Sequence, residues 1–408
     1  MINQQDRTVL RELAKKQLAY ANSQKNLDII DEWRRHAARK PGRPMVHIEI
    51  DTFQHEIIEP RLCCSEETSR QLERLIYHTF INQELFGDDK PIPPYFPIEW
   101  KGDFRLFGYE ITRTKAQGSV GHQFNHVIGD LEEDFDKLNL TESGIDVAAT
   151  EQFKSIAEDA FGDILPVKMV QNCLYAVPTQ QIVHLMGMEN MYIAMMDYPE
   201  LFSRMMIRAA DDYIAWFKKL EHGGYLLPAH SFETLGQGSF CFTDELPYEG
   251  KVTTNNVWGF LDSQETVSIS PDMFAEYILP CYRKIADCYG LLSYGCCEPV
   301  HTVWECLKIM PNMRKVSISP WCDEIYMGEQ LRKSNVIYHR KPSPNYLGVD
   351  AKLDEEAVHS HIMQTLHAAA GCTLEITQRD VYTVHGNPAK VRRYVEIIRK
   401  CVQQGWNP

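Results

Sequence analysis

The sequence predicts an α/β fold: a parallel (β/α)8 TIM barrel with a helical extension at its N-terminus. Three observations predict it. Eight short apolar runs are separated by helical or turn-rich stretches. In the second half, strand and helix alternate with clear caps and stops. The length, 408 residues, is what one such barrel with extensions fills. A doubly wound open sheet is the alternative.

Taken in order, residues 5–40 read as helix, with Val9, Leu10, Leu13, Leu18 and Ile29 at apolar positions, until KPGRP (40–44) stops it. Residues 1–42 are therefore expected to form an N-terminal helical arm and 43–408 the barrel. The expected strands are 45–50, 104–112, 166–171, 257–265, 291–295, 315–320, 336–341 and 373–378. Ser270 caps a helix with Pro271 in its first turn and Phe274, Ile278, Cys281 and Ile285 inward. Asp354 starts another, with Val358, Ile362, Leu366 and Ala369 on one face. Asn387 and Pro388 start the last, with Val391, Val395, Ile398 and Val402 inward. The Met-rich stretch 184–206 has helical spacing and reads as core. The Gly- and aromatic-rich stretch 231–251 reads as a long loop over the barrel mouth.

Composition bounds the function. There are 42 Lys and Arg against 56 Asp and Glu, a net charge of −14, and no basic stripe. That speaks against nucleic acid or an anionic membrane surface as partner. The first residues are polar, and no apolar run approaches the ~20 residues a membrane helix needs. Twelve cysteines then fit a cytoplasmic protein with reduced thiols, most of them small core residues.

In a barrel the chemistry sits at the C-terminal ends of the strands. That rule selects Asp51 and His55, then Asp262, Gln264 and Glu265, then Cys296, Cys297 and Glu298, then Trp321 and Cys322, then His339, Arg340 and Lys341, and finally Arg379, Asp380 and His385. Among these, GCCEPVH (295–301) is the densest. Pro299 suits a first helical turn, so Cys297, Glu298 and His301 share one helix end, where peptide dipoles favour a thiolate. Thiolate, imidazole and carboxylate all ligate zinc, giving a candidate metal set of Cys296, Cys297, Glu298, His301 and Cys322. The alternative packs Cys296 in the core and leaves Cys297 and His301 inert. His339, Asp262 and Asp380 are candidate acids or bases. Asp51, Gln264, Trp321, Lys341 and His385 are candidate substrate contacts.

The strand-end stretches VWGFLDSQETVSISPDMFAEYILPCYRKI, GCCEPVH, MRKVSISPWCD, HRKPSPNYLG and LEITQRDVYTVHGNP resemble the uroporphyrinogen decarboxylase superfamily over residues 43–404. That superfamily holds true decarboxylases and zinc-dependent methyltransferases that work with corrinoid proteins. The decarboxylases carry an arginine-rich segment after the first strand, where this chain reads HIEIDTFQHEIIEP, so a polycarboxylate porphyrinogen is disfavoured. The methyltransferases carry His-x-Cys after the fifth strand and a Cys after the eighth. Here the histidine's place is Tyr294, and Asp380 or His385 stands where the last thiolate belongs.

The resemblance implies a methyltransferase of a corrinoid-dependent system. It would move a methyl group from a small methyl ether or methylamine to cobalamin on a partner corrinoid protein, with zinc as cofactor and the chain as a homodimer. A metal-independent decarboxylase or lyase on a small aromatic acid is the second expectation. A non-catalytic corrinoid or tetrapyrrole binder is the third.

Overall fold

A computed structural model describes residues 2–115, 122–246 and 250–407. Its centre is a seven-stranded sheet: β1 (Met45–Ile48), β2 (Leu174–Ala176), β3 (Trp258–Leu261), β4 (Leu291–Tyr294), β5 (Met313–Ile318), β6 (Ile337–Arg340) and β7 (Leu374–Gln378). All pairings are parallel, and the order is β1-β7-β6-β5-β4-β3-β2. Sequence neighbours stay neighbours across the sheet without reversal. The sheet is singly wound; a doubly wound sheet would reverse direction at a switch point.

Among the described residues the ladder ends at β1 and β2 and does not close. The chemistry of the two edges explains this. On the free side of β1, the N–H groups of Val46 and Ile48 donate to the Asp89 and Asp88 carboxylates, both at 2.8 Å. Asp89 is itself held by Arg43 and Arg399. Side chains thus satisfy the edge that an eighth strand would pair. Beside β2, the Cys173 N–H donates to the Thr234 carbonyl at 3.1 Å.

Thr234 belongs to a hairpin, Thr234–Gly236 paired with Ser239–Phe240, that fills the gap. This corrects the expectation of a loop lying over the mouth. The hairpin packs against the sheet: Lys315 Nζ donates to Ser239 Oγ (2.6 Å) and the Phe240 carbonyl (3.2 Å), and the Gly238 carbonyl accepts from Thr377 Oγ1 (3.3 Å). Residues 247–249 of that stretch lie outside the described residues. At its tip Gly238 has φ +75°, and a Cβ there would stand 2.4 Å from Thr377 Cγ2. Gly238→Ala is therefore expected to cost roughly 1–3 kcal/mol, from overpacking and a left-handed backbone. A urea titration of both proteins measures it, and an unchanged midpoint would contradict the seating of the hairpin.

Two expected strands fall elsewhere. Residues 104–112 are broken by Phe107 (φ 56°) and Gly108 (φ 75°), and only Gly102–Arg105 is extended, antiparallel to Glu142–Ile145. Val167–Val170 is a strand but pairs with Phe96–Glu99 outside the main sheet. The strand of the sheet itself, β2, begins four residues later.

The N-terminal arm is two helices, not one: α1 (Gln4–Ala21) and α2 (Gln24–Ala37), divided where Ser23 turns and accepts from the Asn26 N–H. Both pack on the rest of the chain. Leu10, Leu13 and Ala14 of α1 join a core with Leu72, Ile76, Phe80 and Phe161. Trp33 of α2 packs with Met45, Phe240 and Phe242 and donates from Nε1 to the Asp89 carbonyl at 2.7 Å. The caps at Ser270, Asp354 and Asn387 form as expected. The Met-rich stretch contributes Met186, Met191, Met195, Met205 and Met206 to the core, while Met188 and Met196 are exposed.

Candidate active site at the C-terminal ends of the strands

The C-terminal ends of five strands converge on a cavity of about 530 Å³. Asp262 and Gln264 follow β3, Cys296 and Cys297 follow β4, Trp321 follows β5, Lys341 follows β6, and Arg379 and Asp380 follow β7. A larger cavity, about 730 Å³, lies at the opposite end of the sheet between α2 and the segment preceding β7. In parallel α/β sheets ligands bind at the carboxyl ends of the strands, and the convergent ionisable groups lie there.

Asp262 is 1% exposed, and among the described residues its Oδ1 has no hydrogen-bond partner. Burial, reinforced by the nearby Glu298, Cys296 and Glu265, raises its pKa well above the ordinary value. Burial thus favours its protonated form. Two basic side chains share the cavity, and burial lowers the pKa of one of them, Lys341, from its ordinary value. Lys341 Nζ donates to Gln237 Oε1 (2.9 Å) and to the carbonyls of Cys296 (3.3 Å) and Gly295 (3.4 Å). Arg379 also donates to Gln237 Oε1, and it pairs with Glu49 (3.1 Å) and Asp380 (3.3 Å). Gln237, at the hairpin tip, thus ties the two basic side chains together through one carbonyl oxygen. Its tip position follows from φ values of +82°, +55° and +75° at Gly236, Gln237 and Gly238.

The thiols of Cys296 and Cys297 lie 3.5 Å apart. Cys297 Sγ is 3.7 Å from Asp380 Oδ2, and Cys296 Sγ is 3.6 Å from Arg379 Nη1. The hydrogen bond between the two thiols lowers the Cys297 pKa and raises that of Cys296, with Lys341 and Arg379 also favouring the Cys297 thiolate against burial and Asp380. The expected helix dipole is not the cause. Val300–Val303 is one 3-10 turn, and Pro299 ahead of it makes no side-chain cap.

The expected metal set does not converge. Glu298 spends its carboxylate on the backbone N–H groups of Ser263 (3.0 Å) and Cys296 (2.7 Å). His301 Nδ1 accepts from the Asp323 N–H at 3.2 Å. The Cys322 thiol faces Ser319 Oγ and the Glu298 carbonyl. Among the described residues, no group of three or more His, Cys, Asp or Glu side chains is placed to hold a metal ion. Beside Cys296, positive charge comes from Arg379. These donors do not fit a zinc site.

His339 is also displaced. It lies buried against the neighbouring strand, 1% exposed, with Nε2 on Thr377 Oγ1 at 2.9 Å and Nδ1 3.4 Å from Glu375 Oε1. Burial lowers its pKa to about 3, so it is neutral and away from the mouth. Its inward direction follows from strand alternation, which turns Arg340 outward onto Glu324 (2.6 Å). Asp51 lines a neighbouring cleft of about 220 Å³ with His47, Glu49 and Lys90, and bonds His78 Nε2 at 2.7 Å. His385 lies outside the cavity. Tyr175, Gln180, Gln237, Asn345 and Tyr382 line it and were not singled out by the sequence.

No family model and no curated protein matches the chain. Solved structures do. A methyltransferase from Methanosarcina mazei matches with a TM-score of 0.52 at 11% identity, covering 92% of this chain and 98% of that one. The likeness is one of fold. A B12-independent methionine synthase from Shewanella sp. W3-18-1 matches with a TM-score of 0.26 at 10% identity, over 72% and 75% of the two chains, too distant to carry an argument. Among the described residues, no helix is long and apolar enough to cross a membrane.

Proposed function

We propose that the chain is a methyltransferase of the uroporphyrinogen decarboxylase superfamily. It takes a methyl group from a small, carboxylate-bearing methyl ether and passes it to a reduced corrinoid carried by a partner protein. The observation that carries this reading is Asp262, a buried carboxyl with an unpartnered Oδ1 on the wall of a cavity that also holds Lys341 and Arg379. Ether cleavage needs an acid at the leaving oxygen. Fold likeness to a methyltransferase and the strand-end signatures support the same assignment.

The donor's carboxylate pairs with Arg379, whose Nη2 carries none of the contacts described above, while Tyr175, Trp321 and Tyr382 flank an aromatic body. Asp262 donates its proton to the ether oxygen as the C–O bond breaks. The bonding pair stays on that oxygen, and the methyl group leaves towards the acceptor at the open mouth. The product is the free hydroxyl compound, and solvent reprotonates Asp262. No step passes through zinc.

The assay mixes purified protein, chemically reduced cobalamin and a panel of methoxybenzoates. Loss of the reduced corrinoid's absorbance together with release of hydroxybenzoate supports the reading. No demethylation across the panel, including with a partner corrinoid protein, would end it. The same acid beside two basic side chains also suits protonation of a carbanion after decarboxylation. Release of CO2 from the panel would favour that second reading.

Arg379→Gln is expected to raise KM for a carboxylate-bearing donor roughly 10–100-fold, the worth of one charged hydrogen bond. The KM for the matching uncharged ether should stay within a few-fold. Equal loss for both donors in steady-state kinetics would contradict the role given to Arg379.

A further inference from the structure

The chain contains two pairs of adjacent cysteines, and they are built differently. In Cys63 and Cys64 the thiols part: Cys63 Sγ donates to the Arg61 carbonyl (3.4 Å) and Cys64 Sγ to the Asp6 carbonyl (3.8 Å). In Cys296 and Cys297 they face each other at 3.5 Å, and both line the cavity. The backbone enforces the second arrangement. Gly295 has φ +99°, a conformation open to glycine, and a Cβ there would press on Ser317 Cβ at 3.0 Å. The Cys296 N–H is pinned to Glu298 Oε2 at 2.7 Å, and its carbonyl accepts from Ser317 Oγ (2.9 Å) and Lys341 Nζ (3.3 Å). Nothing in the methyl-transfer chemistry above requires two thiols at this spot.

We propose that Cys296 and Cys297 form a redox-closing dithiol, which a low-molecular-weight disulfide oxidises to a Cys296–Cys297 disulfide on the cavity wall and thiol reductants reopen. The Cys297 thiolate attacks one sulfur of the oxidant RS–SR. A Cys297–S–SR bond forms and RS⁻ leaves. Cys296 gives up its proton to that leaving thiolate and attacks Cys297 Sγ, expelling the second RS⁻, which takes a proton from solvent. Two protein thiols lose two electrons, and one RS–SR becomes two RSH.

Three features favour closure of the ring over a lasting mixed disulfide. The resolving thiol is already in contact. The guanidinium of Arg379 stands 3.6 Å from it and favours its ionisation as it attacks. The Cys322 thiol is engaged elsewhere, with Ser319 Oγ and the Glu298 carbonyl. The ring is also easy to reopen. Adjacent Cα atoms are about 3.8 Å apart, below the roughly 4.4–6.8 Å of ordinary disulfides, so the bond is strained and readily reduced. Closure removes both thiols from the cavity, and the site becomes responsive to the surrounding thiol–disulfide balance. The proposal stands whichever reaction the cavity performs, because its test reads thiols and not turnover.

The full chain is reduced, exposed to oxidised glutathione, alkylated with iodoacetamide and peptide-mapped by mass spectrometry. The expected result is a 296–297 peptide lighter by two hydrogens, without glutathione or alkyl label, that dithiothreitol returns to the doubly alkylated form. Cys63 should be labelled or glutathionylated in the same sample. Phenylarsine oxide, which bridges two close thiols, should be retained by the reduced native protein and lost on oxidation. Cys296→Ser and Cys297→Ser should each abolish that retention at this site. Glutathione persisting on Cys297, or both cysteines fully alkylated after the oxidant has modified Cys63, would overturn the proposal.

Discussion

Asp262→Asn is expected to lower kcat roughly 100- to 10,000-fold, the usual worth of a positioned acid, while the fold survives. The amide keeps the shape and removes the one proton the leaving oxygen needs. Stability should change with pH in a defined direction. The carboxyl's native pKa lies well above its unfolded value, so its contribution is full below the unfolded pKa and is lost as pH rises through the native one. The Asn variant has no such loss. Compared with the native protein, its melting temperature should be no lower at pH 8 than at pH 5. By the same logic, native kcat/KM should fall on the alkaline side as Asp262 loses its proton. Steady-state kinetics and melts at the two pH values check both halves. A variant retaining most of its activity would remove Asp262 from the reaction.

Lys315→Met is expected to destabilise the protein by about 3–5 kcal/mol, the cost of stranding a buried charge. Lys315 and Glu375 meet at 3.1 Å in the interior, with side chains 2% and 1% exposed. Ser239 bonds Glu375 at 2.7 Å, and His339 and His36 approach it at 3.4 and 3.8 Å. Burial alone would push Glu375 up, but Lys315, His339, His36 and the Ser239 hydrogen bond together hold it down to about 2. Its contribution is therefore present above the unfolded value near 4.5 and is lost as pH falls towards 2. His36, lowered by burial to about 4, is neutral in the same interior. Urea unfolding at neutral pH measures the effect. Lys315→Met combined with Glu375→Leu should recover much of the loss. Failure of the double variant to recover any would mean that packing, not charge, dominates.

The sequence carried the fold where patterns were long. The helices capped at Ser270, Asp354 and Asn387 announce themselves through a cap and four or more buried positions, and β3 to β7 follow from them. Legibility fails where strands shorten. β2 is three residues, Leu174–Ala176, with no periodicity to read, and Val167–Val170 looks more like a strand of the sheet than β2 does. Tyr175 and Gln180 were missed for that reason; the apolar run before Pro178 was the available signal.

The site was legible through one rule. Residues just past β3, β4, β6 and β7 do meet, which brings Asp262, Gln264, Cys296, Cys297, Lys341, Arg379 and Asp380 to one cavity. The rule gives no facing. His339 is one position inside the strand end and points into the interior; Lys341, two positions on, reaches the cavity. Nor does spacing reveal what a side chain is already doing. Glu298 looked like a ligand and is a backbone acceptor. Gln237 was out of reach of any local pattern, because its importance comes from a hairpin that fills the place of a strand.

The most direct test of the central claim is a single turnover with a methoxybenzoate labelled as O–CD3, reduced cobalamin and an excess of protein, followed by mass spectrometry of donor and acceptor. The account predicts that the CD3 group appears intact on the corrinoid in step with hydroxybenzoate, and that Asp262→Asn slows both together. Label remaining on the aromatic compound while its carboxyl is lost as CO2 would contradict methyl transfer and make the cavity a decarboxylase site.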